Sequence, residues 1–391
     1  MRNERAFPVA ALLLLAVACS DPASPPADST PLAQFAAAAG QAIPGRFIVT
    51  VRDGASPAAV AADHGVRPDF VYQRALNGFA GPMSDLARNG LLRDARVVRV
   101  EQDGTMEAFG TQTNATWGLD RIDQHPLPLS TTYTYANTGS GVTAYIIDTG
   151  IRFSHSEFGG RATSGFDAVD GGAADDCNGH GTHVAGTVGG STYGVAKGVT
   201  LVAVRVLNCS GSGTTSGVIA GIDWVTTNHT SGPAVANMSL GGGASASLDA
   251  AVNGSISDGV TYAIAAGNGN NGGVAQDACK YSPARVAAAI TVGATDKTDT
   301  KTSWSNYGSC VDLFAPGLSI TSSWYTSNTA TNTISGTSMA TPHVAGVAAL
   351  YLQSNPAASP SAVRNALVGN ATQGVVKSSK TTNNHLLFTN Y

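Results

Sequence analysis

Charge is what this sequence has least of. Only 12% of its 391 residues are Asp, Glu, Lys or Arg, with 26 acidic against 22 basic side chains and a formal net charge of −4. Without a basic excess, the chain carries no electrostatic footprint for nucleic acid. It also lacks any internal repeat. Its N-terminal apolar run, Ala10 to Ala18, is too short to cross a bilayer as a helix. Glycine, by contrast, is abundant at 46 residues, which suits a compact chain with many tight turns. The length allows one large core or two to three domains.

Cysteine is sparse and odd in number, at five. Cys19 follows a basic start (Arg2, Arg5) and the apolar run, a pattern that predicts an export signal over 1–18. Ala16-Val17-Ala18-Cys19 also resembles a lipoprotein cleavage box with Cys19 as the lipid-bearing residue; ordinary cleavage after Ala18 is the other reading. If Cys19 leaves with that segment, Cys177, Cys209, Cys279 and Cys310 remain. Export means oxidising conditions, so two disulfides are expected, and the sequence by itself allows three pairings.

Residues 19–45, rich in Pro, Ser and Asp over 20–31, read as a linker. Strand patterns at 46–51, 77–81 and 97–100 then alternate with helical ones at 57–64 and 84–89, predicting a small α+β domain over 46–109. From residue 110 onward the texture changes. Apolar runs at 142–147, 201–207, 234–240, 260–266 and 288–292 are separated by helical stretches at 181–189, 216–228 and 247–258. Uninterrupted apolar strands joined by helices predict an α/β domain over 110–391 whose parallel sheet is covered on both faces.

In such sheets functional side chains gather at the carboxyl ends of the strands. Those ends present Asp148 after AYII, Ser239 after ANM and Asn268 after AIAAG, while His180 and Ser338 open helices. A serine hydroxyl becomes a nucleophile when a base takes its proton, and the base needs a carboxylate to fix its tautomer. Asp148, His180 and Ser338 supply those roles in the chain order Asp, His, Ser. A metal pair is the competing reading, because His180 and His183 share one helical face. A zinc helix, however, spaces its ligands four apart with a Glu between them, and no Glu lies near. His180 is therefore read as the base, with His183 and His343 as packed helix residues.

The blocks YIIDTG (145–150), HGTHVAG (180–186) and GTSMATPH (336–343) resemble the active-site blocks of the subtilisin-like serine proteases. WGLDRIDQ (117–124), GVIAGIDWV (217–225), ANMSLGGG (236–243) and WSNYGSCVDLFAPG (304–317) draw the resemblance to the proteinase K branch, close to aqualysin-type enzymes. The resemblance implies a three-layer subtilisin-like catalytic domain. It further implies a serine endopeptidase of broad specificity, made as a zymogen whose inhibitory propeptide is released by self-cleavage near Phe109.

It also assigns roles. Asn268 is the implied oxyanion donor beside the Ser338 backbone N–H. Extended substrate is expected along Gly211, Ser212 and Gly213 and along Ser239, Leu240 and Gly241. Ala265, Ala266 and Gly267 would wall the pocket for the residue before the scissile bond; small, uncharged walls favour an apolar or aromatic residue there. Structural Ca2+ is implied at Asp312 with the carbonyls of Ala287 and Ala289, and again at Asp120, Asp123 and Gln124. Asp170 with Asp175 is a third candidate. Aqualysin-like pairing joins Cys177 to Cys209 and Cys279 to Cys310. The expected product is a secreted monomer, not membrane-bound, whose partners are polypeptide substrates and its own propeptide.

Overall fold

The computed structural model describes residues 33–37, 42–104 and 110–391. The expected export segment, Cys19 and Phe109 lie outside the described residues. The chain divides after Thr105 into two compact units.

The first unit is a five-stranded sheet in the order Gln34–Ala36, Val97–Gly104, Ala42–Val51, Gly78–Pro82, Phe70–Tyr72. Its helices, Pro57–Asp63 and Asp85–Leu91, start on Ser56 and Ser84, whose hydroxyls each accept the N–H three residues on. Alternation along Ala42–Val51 buries Phe47, Val49 and Val51 against Val60, Phe79, Leu91 and Val100. Gln34–Ala36 and the start of Ala42–Val51 fall inside the segment expected to be linker. That Ala-rich text carries no alternating pattern; it becomes strand by pairing with both sides of Val97–Gly104. Phe70–Tyr72 escaped notice because it is an edge strand, with Phe70 59% exposed.

The second unit holds a nine-stranded sheet in the order Thr372–Gln373, His385–Leu386, Leu313–Pro316, Ile290–Thr295, Thr261–Ala265, Ala234–Met238, Thr143–Asp148, Thr200–Arg205, Ala162–Asp167. Every pairing is parallel except that of the Thr372–Gln373 edge. Along Thr143–Asp148, Ala144 and Ile146 join one core with residues of the helices His180–Gly189 and Thr337–Ser354. Tyr145 and Ile147 join the other, with residues of Thr215–Asn228 and Ala246–Ser257. Both faces are apolar, which is why the strand reads as a continuous run. Helices therefore cover both faces, giving three layers.

The strand order reverses around Thr143–Asp148. From it the chain runs to the edge strand Ala162–Asp167, returns to place Thr200–Arg205 between that edge and Thr143–Asp148, and then crosses to the other side as Ala234–Met238. Such a switch point opens a crevice at the carboxyl ends of the strands, and Asp148 is the last residue of the strand that defines it.

A buried ion pair ties the helix Trp117–Ile122 to the loop after Ile290–Thr295. Arg121 is 0% exposed; its Nε donates to Asp299 Oδ1 at 2.7 Å and its Nη2 to Oδ2 at 3.1 Å. Asp299 has a φ of 62°, which Asn tolerates at least as well as Asp. Asp299→Asn should therefore isolate the charge, leaving a buried guanidinium uncompensated at a cost of about 3 kcal/mol. Urea unfolding of the covalently inhibited protein measures this, and an unchanged midpoint would contradict it.

Candidate active site

Asp148 reaches the crevice fully buried, at 0% exposure. Its Oδ1 accepts from His180 Nδ1 at 2.7 Å and from the Thr149 N–H at 2.8 Å. Because a carboxylate only accepts, the proton on that ring nitrogen belongs to His180, leaving Nε2 free to act as a base. Burial works against the imidazolium, but the charge and hydrogen bond of Asp148 outweigh it, so His180 is held above the ordinary histidine value.

His180 opens the helix His180–Gly189, and a second carboxylate sets that start. Asp176 accepts from the N–H groups of Asn178, Gly179 and Thr182 and from the hydroxyls of Thr149 and Thr182, at 2.6–2.9 Å. His183 and His343 point elsewhere. His183 Nε2 meets the Ile320 carbonyl at 3.0 Å and His343 Nδ1 the Met339 carbonyl at 2.9 Å. Burial pushes both rings down to about 4, so they are neutral packing groups.

Ser338 is the second residue of Thr337–Ser354. Its hydroxyl donates to the Ser239 carbonyl at 3.0 Å, and the Ser239 hydroxyl donates back to the Ser338 carbonyl at 2.8 Å. Rotation about its Cα–Cβ bond frees the Ser338 hydroxyl for another acceptor; catalytic hydrogen bonds often form only when a ligand is bound.

The Asn268 side-chain oxygen accepts from the Thr337 N–H and hydroxyl, each at 2.8 Å. That orients its Nδ2 to the opposite side. A Cβ built on Gly336 would lie 3.5 Å from Asn268 Nδ2 and 3.5 Å from Ser338 N. Two N–H-bearing nitrogens thus flank one small volume beside Ser338 that glycine leaves empty. Donors placed in this way can hold an oxyanion.

A cleft of about 370 Å³ is lined by Ser239, Leu240, Gly241, Ala265, Ala266, Gly267 and Asn268, with Ser338 at its edge and no charged side chain. A second, of about 550 Å³, runs past His180 along Gly211, Ser212 and Gly213 and shares Ser239, Leu240 and Gly241 with the first. All nine residues expected to meet substrate line one cleft or the other. Sequence reasoning missed Gly242, Gly243, Tyr281, Ser282, Ala284 and Asn306. Gly242–Gly243 pairs antiparallel with Tyr281–Ser282, closing one side of the smaller cleft; the glycine run SLGGG was the only hint. The disulfides are Cys177–Cys209 and Cys279–Cys310, the first just ahead of His180.

Among the described residues no cluster of three or more His, Cys, Asp or Glu side chains could hold a metal ion. The calcium candidates differ in fit. Asp312 Oδ2 accepts the Thr291 N–H at 2.9 Å, and its Oδ1 is taken by the guanidinium of Arg364. A cation already sits on that carboxylate, so Asp312 with the carbonyls of Ala287 and Ala289 does not fit calcium. Asp170 is likewise spent on Arg205, at 2.9 Å. Asp120 gives both oxygens to the turn at Ser130 and Thr131, at 2.8–3.0 Å. The Gln124 amide nitrogen donates to the carbonyls of Pro126 and Pro128. Asp123 is different. Its Oδ2 accepts the Thr134 N–H at 2.6 Å, its Oδ1 is buried without a partner, and burial pushes the carboxyl up to about 6. It borders a cavity of about 140 Å³ with Thr134, Tyr135 and Asn390. A buried carboxylate oxygen left without a partner, on a residue that borders a small cavity, fits a hard cation.

The profile of the Subtilase family matches residues 139–388. The chain is 56% identical to an extracellular serine proteinase of a Thermus species, over 96% of this chain and 97% of that protein. It is 55% identical to an alkaline serine exoprotease A of Vibrio alginolyticus, over 83% of this chain and 61% of that protein. The crystal structure of a cold-adapted subtilisin-like serine proteinase is similar at a TM-score of 0.68 and 59% identity, covering 71% of this chain and 98% of that one. In sequence and in fold alike, the chain belongs to the subtilase family and is a serine endopeptidase.

Proposed function

We propose that this endopeptidase is secreted and works as a monomer, with Ser338 as nucleophile, His180 as base and Asp148 holding the imidazolium. The observation that carries this reading is that Asn268 Nδ2 and Ser338 N flank one volume beside a serine hydroxyl. Ser338 Oγ bonds to the peptide carbon while its proton passes to His180 Nε2, and the carbonyl oxygen becomes an oxyanion between the two donors. His180 then gives the proton to the leaving nitrogen as the C–N bond breaks. Water repeats the sequence to release the acid and restore Ser338.

The uncharged cleft favours an apolar or aromatic residue before the scissile bond, within an otherwise broad specificity. Residues 46–109 serve as the inhibitory propeptide, removed by self-cleavage near Phe109; the separate compactness of the first unit supports this. Secretion agrees with the name of the Thermus relative and with the export pattern over 1–18. Ca2+, where bound, is held by Asp123 beside Asp120 and offsets the buried charge there.

Ser338→Ala and His180→Ala should each lower kcat by about 10⁶-fold, with the double variant scarcely worse, because the groups act as a unit. Ser338→Ala should also retain residues 46–105 on the secreted chain. Losses that add in the double variant would refute the assignment.

The acid limb of kcat/KM reports the same histidine. His180 must be neutral to accept a proton, and its raised pKa places loss of activity above the ordinary value of about 6.5 as pH falls. Asp148→Asn should move that midpoint lower; a midpoint that stays put assigns the limb to another group.

Calcium should raise the melting temperature of the parent and of Asp312→Asn, but not of Asp123→Asn, since a ligand stabilises only where it binds. A calcium response lost in Asp312→Asn and kept in Asp123→Asn would reverse the two sites.

A further inference from the structure

The segment that carries Asn268 is gripped by a residue to which the triad and oxyanion donors give no role. Asn306 is 1% exposed. Its Nδ2 donates to the Ala266 carbonyl at 2.8 Å. Its Oδ1 accepts from the N–H of Gly269 at 3.1 Å and from that of Gln276 at 2.8 Å. Its own main-chain N–H donates to the Gly267 carbonyl at 3.0 Å. The bonds to Ala266, Gly267 and Gly269 bracket Asn268 on both sides, and the bond to Gln276 ties the returning loop to the same carboxamide.

The approach is too close for any side chain between them. Gly267 has a φ of +101°, and a Cβ there would stand 2.5 Å from Asn306 Nδ2. A carboxamide is also the right chemistry. It offers a donor and a two-lone-pair acceptor in one plane, where a carboxylate lacks the donor and a leucine lacks both. Thr337 fixes the far end of Asn268 by its side-chain oxygen. Asn268 is thus held at its main chain by Asn306 and at its side chain by Thr337.

We propose that Asn306 is a positioning residue for the oxyanion donor: it sets where Asn268 Nδ2 stands relative to Ser338 N. The inference rests on the reading of Asn268 as that donor. Donors of this type work only when held within about 0.5 Å of the productive geometry. Loosening the Asn268 backbone should therefore slow the chemical step while leaving ground-state binding nearly intact.

The test places Asn306→Ala and Asn306→Asp in the parent enzyme and in Asn268→Ala. Rates are taken well below the unfolding temperature, and active sites are counted with a fluorophosphonate. In the parent, both changes should lower kcat about tenfold or more, with KM held within about threefold. In the Asn268→Ala background each should cost less than about threefold, because the donor it positions is gone. Equal losses in the two backgrounds would make Asn306 a purely structural residue and overturn the inference, as would an unchanged kcat in the parent. If Asn268→Ala alone leaves kcat intact, the oxyanion reading itself fails, an outcome distinct from additivity. Should Asn306→Ala not fold, Asn306→Asp decides, since it keeps both acceptor bonds and sets a carboxylate oxygen against the Ala266 carbonyl in place of the donor.

Discussion

A carboxylate removed from water at the end of the strand where the sheet order reverses is the constraint around which the second unit is arranged. Burying the Asp148 charge is costly unless donors meet it, and the two that do are the Thr149 N–H and the ring of His180. To bring that ring to the strand end, the helix His180–Gly189 has to begin against it, and Asp176 fixes the beginning by collecting five donors. The neighbouring strand ends are secured in the same way. Ser239, just past Ala234–Met238, exchanges two hydrogen bonds with Ser338, and Asn268, just past Thr261–Ala265, takes two from Thr337. One helix start, Thr337–Ser354, is therefore tied to two adjacent strands by short polar bonds.

Scarcity of charge has a structural counterpart. Several of the few charged side chains are spent inside the second unit. Arg121 pairs with Asp299, Arg205 with Asp167 and Asp170, Arg285 with Asp249, and Arg364 with Asp312. Arginine suits these places because its planar fork meets a carboxylate with several donors and sheds water more readily than an ammonium. At Asp312 the guanidinium does what a divalent ion would otherwise do, and of the carboxylates considered for calcium it is Asp123 that keeps a buried oxygen without a partner.

Much of this was legible in the sequence because it rests on local pattern. The strand Thr143–Asp148 is apolar on both faces, so it announced a covered parallel sheet, and Asp148, Ser239 and Asn268 stand where such runs stop. The cysteine pairs follow those implied by the resemblance. What could not be read depends on contacts between distant segments. Nothing on the helix Pro360–Asn370 marks Arg364 as the partner of Asp312, and nothing in WSNYG tells that Asn306 faces Ala266 and Gly269. Gln34–Ala36 is strand only because Val97–Gly104 lies beside it. The two-residue ladder of Gly242–Gly243 with Tyr281–Ser282 is too short to leave a period.

That ladder separates frame from lining in the smaller cleft. Main-chain bonds between Gly242–Gly243 and Tyr281–Ser282 fix that side of the cleft, whatever side chains it carries. Ala265, Ala266 and Ala284, which line the cleft, contribute little beyond a methyl group each. The cleft is in that sense an adjustable mould: its outline belongs to the backbone, and its depth can be retuned one methylene at a time. A protein built this way can change its diet without rebuilding its machinery.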